Sequence, residues 1–148
     1  LGKEPCLISY SDIFYEPTAV EILLNTDLDI AVLYDENWKS LWTRRFGDPL
    51  LDAETFKLNA DNTIAEIGLK PNSLDDIEGQ YMGLLKFTPD GWRQIKMMRE
   101  KLSETDQDTM HMTGTLQGLI GGGITSVHAL SYRGSWGEVD CAEDLLAY

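Results

Sequence analysis

Two aspartates follow extended, largely apolar runs. Asp12 comes after residues 6–10, and Asp140 after residues 134–139. In open α/β sheets, ligands bind beyond the carboxyl ends of the strands, and an acid placed there reaches into the crevice with its direction fixed by the strand. Two such carboxylates converging from distant strand ends make a hard oxygen site of the kind magnesium uses, completed by water and substrate phosphate. Each has a plainer reading as well, because each precedes a helical segment and aspartate is a good N-cap. Spacing alone favours the cap for Asp12.

Other side chains offer weaker signals. Trp38 and Trp42 stand one helical turn apart, which suits an aromatic cage for a quaternary ammonium group, but more often marks a packed or interface face. Arg44 and Arg45 end the same helix, where they favour its C-terminus, with a phosphate contact as the second reading. Gly121-Gly122-Gly123 follows an apolar helix, so it lies at the negative end of the dipole and reads as a helix stop rather than a phosphate loop. His111 and His128 lack the partner spacing of a zinc site and read as structural. Lys96, Arg99, Glu100 and Lys101 form an ordinary solvated helix face.

The elements that must position these residues follow from hydrophobic period and turn signals. Residues 6–10 and 29–34 read as buried strands, with a helix over 18–24 between them opened by Pro17. That order is a βαβ unit with parallel strands. A helix over 37–45 follows, then a hairpin of 55–58 and 63–68 across a polar turn, and a strand over 80–88. Pro89-Asp90-Gly91 opens a helix over 92–102. Residues 103–108 read as a loop, 109–120 as a helix, 124–132 as a strand and 142–148 as a short closing helix. The expectation is an α/β fold with a mixed, mostly parallel sheet flanked by helices, in one domain over 1–148.

With 148 residues, 43% hydrophobic and 25% charged, the chain has the make-up of a globular domain with a real core. Its formal net charge of -13 argues against a nucleic-acid partner. No stretch is apolar enough to span a bilayer, and no signal peptide is visible. Cys6 and Cys141, the two cysteines, suggest reduced thiols and a cytoplasmic protein. The chain opens on Leu1, and residues 1–5 lead directly into a strand, so a fragment or cleaved domain is expected.

Four motifs in order carry a resemblance. Leu7-Ile8-Ser9-Tyr10-Ser11-Asp12-Ile13 resembles the strand that ends in a metal-binding aspartate in sugar-phosphate and phosphocholine-type nucleotidyltransferases. Trp136-Gly137-Glu138-Val139-Asp140-Cys141-Ala142-Glu143-Asp144-Leu145 resembles the closing motif of that family. Ile64-Ala65-Glu66-Ile67-Gly68-Leu69-Lys70 and Gly79-Gln80-Tyr81-Met82-Gly83-Leu84-Leu85 lie between them in the family's order. The pattern is closest to the branch that activates phosphocholine or aminoethylphosphonate, some members of which are fused to a phosphoenolpyruvate mutase domain.

The resemblance implies a Rossmann-like nucleotidyltransferase fold and a magnesium-dependent transfer of a nucleotidyl group, cytidylyl by resemblance, from a nucleoside triphosphate to a small phosphorylated or phosphonate acceptor. It implies Asp12 and Asp140 as Mg2+ ligands with Glu138 beside them. Glu66, Lys70, Gln80, Tyr81 and Trp136 would line the acceptor pocket, and a homo-oligomer or a fused mutase-type domain would be the partner. The family's Gly-rich, phosphate-cradling loop is not found among these residues, so the chain reads as the C-terminal part of the domain, inactive by itself. The rival expectation is a non-catalytic binding domain that keeps the scaffold and uses its acidic surface and the Trp38/Trp42 face for a partner.

Overall fold

The computed structural model describes residues 3–148; Leu1 and Gly2, the start of the lead-in, lie outside the described residues. A four-stranded sheet forms the centre, from β1 (Cys6–Ser9), β3 (Ile30–Asp35), β6 (Gln80–Phe87) and β7 (His128–Tyr132) in the order β1-β6-β3-β7. β6 runs antiparallel to both neighbours, and β3 pairs with β7 in parallel. Three of the four strands therefore point the same way, which makes the sheet mixed and mostly parallel in direction.

The expected βαβ unit is present with one correction. α1 (Pro17–Leu24) carries the chain from β1 to β3, and these strands are parallel in direction, but β6 lies between them. The reason is burial. β6 spans eight residues, nearly all buried, and needs a neighbour on each side. β1, short and only half-buried, takes the edge instead of the interior position expected for it.

Strand alternation divides the core into two layers. Ile30, Val32 and Tyr34 of β3 face one layer with Leu85, Phe87, Ile95, Leu116 and Leu119. Ala31 and Leu33 face the other with Leu23, Trp38, Leu41, Trp42 and Trp136. A period of two in a fully buried strand gives this two-sided pattern. α3 (Pro89–Arg99) and α5 (Met112–Gly121) cover the first face, while α1 and α2 (Trp38–Phe46) cover the second.

Local chemistry sets most boundaries. The Thr88 hydroxyl accepts from the Gly91 amide at 3.2 Å and caps α3, with Pro89 in its first turn. The glycine run stops α5 as expected. Gly123 donates to the Ile120 carbonyl at 3.0 Å and Ile124 to that of Leu119 at 3.1 Å, and Gly123 sits at φ +59°. The hairpin is found as β4 (Phe56–Leu58) with β5 (Ile64–Ile67). α4 (Glu104–Thr109) replaces the expected loop, and α5 begins after it. α4 buries no residue, so hydrophobic period could not reveal it; its signal was Ser103, which caps through the Asp106 amide at 3.2 Å. A further ribbon, β2 (Ile13–Tyr15) with β8 (Trp136–Glu138), had only half its pattern visible in the sequence.

Candidate functional site

The β2–β8 ribbon joins the two aspartate motifs. Ile13 pairs with Glu138, and the Val139 amide donates to the Asp12 carbonyl at 2.8 Å. The backbones of Asp12 and of the segment ending in Asp140 are thereby hydrogen-bonded across the whole length of the chain. The capping reading is corrected for both residues. The N-cap of α1 is Glu16, and the closing 3-10 segment (Ala142–Ala147) is capped at Cys141. Asp144, three residues on, accepts the amides of Asp140 and Cys141 at 2.9 and 3.1 Å.

Arg45, expected to favour its helix end or to touch phosphate, reaches into this carboxylate group. Its Nη1 donates to Glu138 at 2.8 Å, its Nη2 to Asp140 Oδ2 at 2.8 Å, and its Nε to Asp144 at 3.1 Å. The guanidinium also lies over the rings of Trp42 and Phe46, 5.2 and 4.8 Å from their centroids. The side chain has no exposed surface. Burial by itself lowers the pKa of Arg45, but the bonds to Asp144, Glu138 and Asp140 outweigh it and hold the charge firmly. The same contact, led by the Arg45 bond, puts the Asp144 carboxyl far below its ordinary range. Glu138 moves the other way, because desolvation exceeds the help it receives from Arg45.

Two carboxylates of this region keep oxygens free. Arg45 takes one oxygen of Asp140, while Oδ1 of Asp140 and both carboxylate oxygens of Asp12 accept no hydrogen bond among the described residues. Three carboxylates around one guanidinium leave net negative charge. Among the described residues, no three potential ligands cluster tightly enough to cage a metal by themselves. Magnesium asks for less, since one or two carboxylates with water and phosphate suffice.

Beside this group opens a cavity of about 430 Å³. Gln80, Tyr81, Glu138 and Asp140, all singled out in the sequence, line it together. Four others do not, Asp12 among them. Glu66 pairs with Lys57 at 3.6 Å, Lys70 donates to the Leu50 carbonyl at 2.8 Å, and Trp136 is buried with its Nε1 donating to Asp35 at 3.0 Å. Trp38 and Trp42 are both core residues, so the packed reading of that face holds. Trp42 also forms part of the cavity wall, its Nε1 donating to Asp52 at 3.1 Å.

Asp52, Glu54 and His111 also line the wall and were not expected there. Their signal was slight: an Asp-x-Glu pair in an irregular segment, and a histidine just before a helix. Burial pushes the Glu54 carboxyl up, with Thr113 and His111 working against it and Asp52 with it. Gln80 Oε1 and Tyr81 Oη are buried without a hydrogen-bond partner, an unusual state for two polar atoms beside one cavity. The Tyr81 ring meets that of Tyr10 edge-on at 5.8 Å.

Known proteins resemble the chain in sequence and in fold. No family model matches the chain. It is 36% identical, over 97% of its own length, to the CTP:phosphoglutamine cytidylyltransferase of Campylobacter jejuni. It matches the inositol-1-phosphate CTP transferase of T. maritima with a TM-score of 0.70 at 19% identity, over 97% of this chain. The fold is that of the nucleotidyltransferases. A putative glucose-1-phosphate thymidylyltransferase from Bacillus anthracis agrees, with a TM-score of 0.64 at 14% identity over 99% of this chain. The chain spans 58% of the Campylobacter protein and 52% and 55% of the two structures. It thus resembles part of a nucleotidyltransferase. No helix among the described residues is long and apolar enough to cross a membrane.

Proposed function

We propose that the chain forms the acceptor-side part of a magnesium-dependent cytidylyltransferase acting on a small phosphorylated or phosphonate acceptor. The observation that carries this reading is the Val139–Asp12 backbone bond, which brings the two aspartate motifs together beside the cavity. The likeness to a cytidylyltransferase over nearly the whole chain supports it. The rival reading, a non-catalytic domain with a Trp38/Trp42 docking face, loses support because both rings are buried.

In this reading an acceptor oxygen attacks the α-phosphorus of the nucleoside triphosphate, in line with departing pyrophosphate, and no protein nucleophile is needed. Asp12 and Asp140 would hold the magnesium ion, which neutralises and orients the phosphates. Glu138 and Asp140 are steadied by Arg45. The cavity is too acidic for the phosphate itself. With Asp52, Glu54, Glu138 and Asp140 on its wall, it suits the other end of the acceptor, and Gln80 Oε1 calls for a donor such as an N–H. The chain spans just over half of the proteins it matches, so in this reading the activity is that of the whole protein.

The test, made on the whole protein of which this chain is part, is pyrophosphate release from CTP with phosphorylated acceptors, at saturating and limiting magnesium, alongside thermal melts. Asp12→Asn and Asp140→Asn should each lower turnover by about 10²–10³-fold, as losses of charge stabilisation do, with the fold retained. Near-normal turnover in either variant would refute the metal role. Glu54→Gln should raise the Michaelis constant of an amine-bearing acceptor by roughly tenfold while leaving a neutral one unchanged. Equal effects on both would remove the cavity from acceptor selection.

A further inference from the structure

Arg45 has an unusual set of partners. A solvated arginine at a helix end makes one mobile contact; this one has no exposed side-chain surface, a ring beneath it on each of two residues, and three carboxylates on its guanidinium, with Nε and Nη2 both on Asp144, Nη2 also on Asp140 and Nη1 on Glu138. The three acids have different fates. Asp144 is buried, at 6% exposure, and its second oxygen holds the Asp140 and Cys141 amides. Glu138 is partly covered, and Asp140 is largely exposed. The network therefore runs from the helix α2 through a buried pair to the exposed carboxylate of Asp140. Asp144 fixes the backbone of Asp140, and Arg45 fixes its side chain by taking Oδ2 and leaving Oδ1 unbonded.

We infer that Arg45 and Asp144 are positioning residues that aim Asp140 at the divalent cation. This rests on the proposed metal role of Asp140. A planar guanidinium is suited to the task, since its nitrogens hold several carboxylates at fixed angles, which an ammonium cannot do. Partners that orient a metal ligand from behind commonly alter affinity by 10–100-fold when removed. The network joins residues 93, 95 and 99 positions apart in the chain, so its geometry exists only in the folded protein.

The experiment is a titration of the full chain with Mn2+, followed by water-proton relaxation, with a thermal melt of each variant. Asp140→Asn isolates this site from the remaining acidic surface. Arg45→Lys keeps the charge and loses the fork. Asp144→Asn keeps an acceptor for the two amides and loses the ionic bond to Arg45. The expected result is that Arg45→Lys and Asp144→Asn each weaken the Asp140-dependent Mn2+ binding about tenfold or more, while the melts stay cooperative. Should Arg45→Lys fail to fold, Asp144→Asn decides by the same criterion. If Asp140→Asn weakens binding but the other two bind like the unmodified chain, the positioning role is overturned and the metal role stands. If Asp140→Asn itself has no effect, the metal role fails and the inference falls with it.

Discussion

At the scale of single residues, the carboxyls of this chain divide by environment. Asp144 ionises far below its ordinary range because Arg45 bonds to it, whereas burial raises Asp35, Glu54 and Glu138. The two groups act on stability in opposite directions. A carboxyl raised in the fold takes up its proton before the unfolded chain does, so stability rises as pH falls from neutral towards the ordinary carboxylate range. A depressed carboxyl stabilises fully above the unfolded value, near pH 4, and that contribution is lost as pH falls further towards its folded value. The net charge of -13 adds to the first trend through relief of repulsion. Thermal melts should therefore peak in mildly acidic buffer and drop steeply below about pH 4. In Asp144→Asn the steep acid limb should flatten. A melting profile flat from pH 7 to 3, or highest at neutral pH, would contradict this balance of charges.

At the scale of elements, one irregularity in β6 borders the cavity. The register of β6 against β3 shifts between Val32 and Tyr34, and Gly83 lies within the shifted stretch at φ +73°. Its carbonyl accepts the Tyr10 amide at 2.9 Å, and a Cβ there would come within 2.7 Å of the Tyr10 side chain. A bulge that turns side chains towards a cavity is a common device in sheets. Gly83→Ala would meet both a left-handed backbone and the Tyr10 ring, so a loss of about 2 kcal/mol is expected. Chemical denaturation measures it, and a change under about 0.5 kcal/mol would show that the sheet relaxes freely there. Gly123, also at positive φ but with open space around its missing Cβ, provides the comparison, because substitution there should cost only the backbone strain.

For the whole molecule, the two sheet edges differ. β7 is partly covered, since Ile64 donates to Val127 at 2.8 Å and Ala129 to Asn62 at 2.9 Å. β1 pairs only with β6 among the described residues. The surface also carries exposed apolar side chains, with Leu146 at 90% exposure and Phe14 set edge-on against Tyr148 at 4.8 Å. An open strand edge and apolar surface favour self-association, and the acidic charge opposes it. Sedimentation of the chain should show monomer at low salt and concentration-dependent association at high salt, where repulsion is screened. A clean monomer under both conditions would show that the edge is protected by charge-independent means.

Several features were legible in the residues because their causes are local. Alternation made the 30–35 strand core on both faces, Asn59–Asn62 made a hairpin turn, and Gly121–Gly123 stopped a helix. The family's motifs were also readable in order, as was the buried packing of Trp38 and Trp42. Other features depend on which distant segments meet. α4 has no apolar face to betray it, and the entry of β6 between β1 and β3 depends on competition for the sheet centre. Arg45 looked like a helix-end charge until the fold brought Glu138, Asp140 and Asp144 to it from across the chain. Glu54 and His111 became cavity residues only when the strap holding one met the helix start holding the other. Propensity and capping act over a few residues and can be read from them. Desolvation, ion pairing and the convergence of carboxylates act through space, and only tertiary structure sets those distances.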